Sequence, residues 1–109
     1  MSVVTNILLC TGLEEEDAIR ALNIMIMKWP HAGLPFRPIN EMLSAGSKHL
    51  ECDIWPGGFN HFELDKLTKC IEAVSWTDPG QVQLFVKGQN DSRFREISLS
   101  FETGRGSHV

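Results

Sequence analysis

The chain has 109 residues, 42% hydrophobic and 22% charged, with a formal net charge of −4. That length suits one domain whose core folds without disulfide or metal, and the composition excludes intrinsic disorder. The acidic balance and the lack of any dense Lys/Arg run argue against direct nucleic-acid binding, and no stretch has the length of a membrane helix.

Val3 to Cys10 is apolar on both parities, the pattern of an inner strand covered on both faces or lying in an interface. It has no basic leader, so it reads as a strand and not as a signal segment. Thr11 and Gly12 end it. Thr11 and Glu14 stand at capping-box spacing, and Glu14, Glu15, Glu16 and Asp17 crowd the expected first helical turn, where carboxylates meet the positive end of the dipole. Ala18, Ile19, Leu22, Met25, Ile26 and Trp29 then recur at helical spacing until Pro30 stops the run.

His31 to Pro38 reads as a connection. Phe36 to Leu43 reads as a short strand at a sheet edge, because Pro38 cannot donate to a ladder. Lys48 to Trp55 alternates: Leu50, Cys52 and Ile54 share one side, and His49, Glu51, Asp53 and Trp55 share the other. Pro56-Gly57-Gly58 is expected to break that strand. Asn60 is the expected N-cap of a second helix, with Glu63 reaching back and Phe59 stapled to Leu64. Leu64, Leu67, Ile71 and Val74 form its apolar stripe, Cys70 flanks it, and the helix is expected to end near Trp76.

After the turn Asp78-Pro79-Gly80, residues Gln81 to Lys87 alternate, with Val82, Leu84 and Val86 opposed to Gln83 and Phe85. Gly88 to Ser92 has hairpin chemistry, and Arg93 to Phe101 reads as the last strand. The order β-α-β-β-α-β plus a hairpin strand predicts an α+β sandwich of ferredoxin-like topology, with both helices on one face of a mainly antiparallel sheet. Residues 1–103 are expected to form the single domain and 104–109 a flexible tail.

Three cysteines, Cys10, Cys52 and Cys70, are odd in number and too widely and irregularly spaced for a disulfide framework; they read as buried thiols of a cytoplasmic protein. His49, Cys52, His61 and Cys70 have metal-ligating identities but the wrong spacing. His49 and Cys52 fall on opposite faces of a strand, and His61 and Cys70 lie about 13 Å apart along a helix. No metal or cofactor is expected. No serine sits in a G-x-S-x-G elbow, and no cysteine has an electropositive niche. Pro56 to Asn60 leads toward a helix as a phosphate cradle does, without the following Lys or Ser/Thr.

The remaining constellation is the row His49, Glu51, Asp53 and Trp55, joined by Gln83 and Phe85 on the sheet face away from the helices. Such an acidic-aromatic face points to a non-enzymatic protein-binding module of inhibitor, immunity or regulatory type. Trp55 and Phe85 would be its anchors, with Glu51 and Asp53 steering a protein partner with a basic surface. A second copy of the chain could take the partner's place. The alternative is a homodimeric small-molecule-binding domain or a small enzyme with a pocket around His49.

Overall fold

A computed structural model describes residues 4–29, 33, 35–39, 45–47, 51–60 and 63–101. Strand β1 (Val4–Thr11) leads to helix α1 (Glu16–Ile26); strand β2 (Asp53–Asn60) leads to helix α2 (Leu64–Ala73). A short 3-10 turn, Pro79–Gln81, precedes β3 (Gln83–Gly88) and β4 (Arg95–Ile97). The fold is α+β: a four-stranded sheet in the order β2-β1-β3-β4, with every pairing antiparallel.

β1 is the inner strand expected from its apolar run. Leu9 lies opposite Trp55 on one side and Leu84 on the other; Ile7 lies opposite Gly57 and Val86. Ile7, Leu9, Trp55, Phe59, Leu84 and Val86 are buried together with Ala18, Ile19, Leu22 and Ile26 of α1 and Leu67 and Ile71 of α2. Both helices therefore pack on one face of the sheet. Each fully buried Leu or Ile contributes about 1.5–3 kcal/mol relative to exposure. Lys66 of α2 reaches across to the ring of Trp29, 5.2 Å from its centroid, and ties the end of α1 to its neighbour.

In a ferredoxin-like sheet the parallel strands of each split βαβ unit are separated by another strand, so the first strand is antiparallel to both of its neighbours. Both neighbours of β1 are antiparallel to it, as that topology requires, but among the described residues one strand stands between the helices where it needs two, so the ferredoxin-like topology is not established. The main local difference is β2, which begins at Asp53 and runs through Pro56-Gly57-Gly58 to Asn60 instead of ending at Trp55. The Ile54 carbonyl accepts a bond from the Ile39 amide at 2.9 Å, so it points away from β1. Alternate residues of a strand face the same edge, which puts the nitrogen of Pro56 on that outer side as well. A proline there costs the β1–β2 ladder nothing.

Gly57 is required for a separate reason. The Phe59 ring folds back over it, and a Cβ at Gly57 would stand 2.7 Å from the ring. Phe59 also packs against Phe36, with centroids 5.6 Å apart at 60°. Asn23 holds Phe36 by both of its amide ends, accepting from the Phe36 N–H at 2.8 Å and donating to its carbonyl at 3.1 Å.

Several expected boundaries move. Asn60 is a strand residue and Glu63 is the residue before α2, so neither the Asn60 cap nor the Phe59–Leu64 staple forms. α1 starts at Glu16 with no side-chain cap, because Thr11 is still in β1 and its hydroxyl is used elsewhere. Residues 36–39 are not a strand, although Ile39 does lie along the β2 edge; 40–43 lie outside the described residues. α2 stops at Ala73, and Trp76 instead donates its indole N–H to the Ile71 carbonyl at 2.8 Å. β4 is confined to Arg95–Ile97; beyond it the Ser100 amide donates to Glu72 of α2 at 2.7 Å.

Candidate functional site

The acidic-aromatic row does not assemble on the sheet face away from the helices. Trp55 points into the core, 3% exposed, and its indole N–H donates to the Thr11 hydroxyl oxygen at 3.0 Å. That hydroxyl in turn donates to the Gly12 carbonyl at 2.8 Å, so this buried polar pair is satisfied. The larger apolar side chain of the alternating set has gone inward, where a partner for its one donor exists. Asp53 shares the parity of Trp55, lies opposite Thr11 and is half-buried. Glu51 is exposed on the bend before β2. His49, and Leu50 with it, lie outside the described residues, as does His61.

The consequence is an inverted parity for β2. Ile54, expected under the helices, lies on the uncovered face opposite Cys10, and Cys10 lies opposite Gln83. The next row is Pro56, Leu8, Phe85 and Glu96; the row after it is Gly58, Asn6 and Lys87. Gln83 and Phe85 are on this face as expected. Leu8, Cys10, Ile54 and Phe85 form its half-buried apolar centre, and none of them belongs to the core cluster beneath the helices. Polar groups rim it: Gln83 donates to Glu96 at 3.2 Å, and Asn6 donates to the Lys87 carbonyl at 3.1 Å. The signal for Leu8 and Cys10 was present in the double parity of the first strand. For Ile54 it was masked by the greater burial demand of Trp55.

The chemistry of this face is quiet. Burial, and next the neighbouring Cys52, push the Cys10 thiol above its ordinary value of 9.0, so it keeps its proton at neutral pH. Burial also raises Cys70, with Lys66 pulling the other way. A protonated thiol is a poor nucleophile. Among the described residues no three His, Cys, Asp or Glu side chains gather as a metal would require. No described helix is long and apolar enough to cross a membrane.

The acidic run before α1 is divided by its environment. Glu15 is 2% exposed, and its two carboxylate oxygens accept the backbone N–H groups of Thr77 and Asp78 at 3.0 and 2.9 Å. It latches the start of α1 to the segment after α2. Glu14 takes a left-handed backbone, φ 64°, to turn the chain into the helix. Glu16 and Asp17 are exposed in the first turn, where Asp17 pairs with Arg20 at 2.8 Å.

A second exposed apolar surface lies along α1. Ile24 is 56% and Met27 50% exposed. They edge a groove of about 560 Å³ whose other walls include Arg20, Pro35 and Trp55.

No protein-family model matches the chain, and no curated protein or solved structure matches it. The fold and its surfaces define an α+β protein with one face of an antiparallel sheet under two helices and an apolar centre on the other.

Proposed function

We propose that the protein is a non-enzymatic protein-binding module, of inhibitor, immunity or regulatory type, acting through the uncovered face of its sheet. This reading rests on the apolar centre formed by Leu8, Cys10, Ile54 and Phe85 on the face away from both helices. Half-exposed apolar side chains gathered at the centre of one sheet face of a small domain suit an interface. Phe85 is its aromatic anchor and Leu8 its central aliphatic contact; Gln83, Lys87 and Glu96 supply the polar rim.

The preferred partner carries a basic border. With a net charge of −4, Glu96 opposite Phe85 and Glu51 exposed on the bend before β2, the protein attracts such a surface from a distance. Thiols held in their protonated form favour binding over nucleophilic catalysis. Three free cysteines suit a reducing compartment such as the cytoplasm.

The test is affinity capture from source-cell lysate with the wild-type protein and Phe85→Glu, at matched thermal stability. The proposal expects at least one protein retained by the wild type and lost by the variant, with retention weakening as salt is raised. An identical retained set for both proteins removes it.

A further inference from the structure

A surface helix keeps an apolar stripe for the core and turns a polar face to water. α1 obeys this only in its first half. Its inward stripe is Ala18, Ile19, Leu22 and Ile26, yet Ile24 and Met27 are apolar and point outward. The helical path continues through the next turn, where the Met27 amide donates to the Asn23 carbonyl and the Lys28 amide to that of Met25. Asp17, Ala21, Ile24 and Lys28 therefore recur at four-, three- and four-residue steps and form one exposed stripe.

We propose that this stripe is the contact of a homodimer, two α1 helices packing antiparallel about a two-fold axis that passes midway between Leu22 and Asn23. That axis sets Ala21 against the partner's Ile24, and Asp17 against the partner's Lys28. The small side chain gives the helices room to approach, and the branched one fills the space. Opposite charges meet at both ends of the contact. A parallel pairing would instead set Asp17 on Asp17 and Lys28 on Lys28. The antiparallel arrangement also joins opposite ends of the helix dipoles. An isologous interface requires a surface complementary to itself, and this stripe is so in both size and charge. The same axis brings the partner's Met27 to the mouth of the groove beside Arg20, whose floor includes Trp55. The contact is on a different surface from the uncovered sheet face, so each proposal stands separately.

Sedimentation equilibrium across micromolar to about 1 mM protein tests it. The wild type is expected to show a concentration-dependent monomer–dimer equilibrium. Ile24→Lys is expected to weaken it by at least about tenfold, since it puts a charge at the desolvated centre. Asp17→Lys sets like charges opposed at both symmetric ends and is expected to weaken it severalfold. The double variant Asp17→Lys/Lys28→Asp is expected to restore the wild-type constant. Phe85→Glu is expected to leave it unchanged, and thermal melts verify that each variant folds. A wild type that stays monomeric throughout overturns the proposal. So does a dimer indifferent to Ile24→Lys, or a charge swap that fails to rescue.

Discussion

Replacing Thr11 by Val tests the inward placement of Trp55 with almost no change of shape. The Thr11 hydroxyl is buried, accepts the Trp55 indole N–H at 3.0 Å and donates to the Gly12 carbonyl at 2.8 Å. Valine keeps the volume and removes both bonds. Stranding a buried donor costs about 1–3 kcal/mol, and the lost bond to Gly12 adds about 0.5–1.5 kcal/mol. The added methyl recovers part of this as apolar burial, leaving a net loss of about 2 kcal/mol. In a domain of this size that lowers Tm by roughly 8–14 °C. Trp55→Phe removes the donor as well as part of the ring, so a double-mutant cycle isolates the bond. Urea denaturation followed by circular dichroism should give a Thr11→Val/Trp55→Phe loss about 1 kcal/mol smaller than the sum of the single losses. A Thr11→Val loss below about 0.5 kcal/mol, or strict additivity, refutes the buried pair and with it the inverted parity of β2.

Three further outcomes follow from the same geometry. Gly57→Ala drives a methyl into the Phe59 ring and should cost about 1–3 kcal/mol by urea denaturation. Glu15→Gln replaces one of two acceptors of the Thr77 and Asp78 amides by an NH2 group; it should cost about 2–3 kcal/mol in the same assay. The raised Cys10 and Cys70 thiols bind their protons more tightly in the folded protein. Their contribution is complete below the unfolded value near 9.0 and is lost as pH rises through the higher folded values. Stability measured from pH 8 to 11 should therefore fall more steeply for the wild type than for Cys10→Ser/Cys70→Ser.

Much of the fold was legible because periodicity is a local property. The alternation of Val82, Leu84 and Val86 and the helical spacing of Leu22 and Ile26, or of Leu67 and Ile71, match their burial. β2 was not legible in the same way, since whether Pro56 ends a strand depends on which edge its nitrogen faces, and that is set by Ile39 from elsewhere in the chain. The glycine at 57 reads as a breaker until Phe59 is seen folding over it. Parity was ambiguous for a related reason. An alternating segment gives two sets, and the choice between Ile54 and Trp55 was decided by Thr11, distant in sequence, which satisfies the indole N–H. Thr11 likewise looked like a helix cap because its spacing to Glu14 suits one, but its hydroxyl belongs to that core pair. On the uncovered face, Phe85 and Gln83 were found from simple alternation, whereas Ile54 depended on this tertiary choice.

On the proposed function, the sheet face around Phe85 and Leu8 binds a protein. Calorimetric titration of the captured partner against the wild type, Phe85→Glu and Ile24→Lys tests it most directly. Phe85→Glu is expected to bind at least roughly 30-fold more weakly, the effect of losing a central aromatic anchor worth about 2 kcal/mol, with Ile24→Lys close to wild type. Equal affinity for the wild type and Phe85→Glu would contradict it.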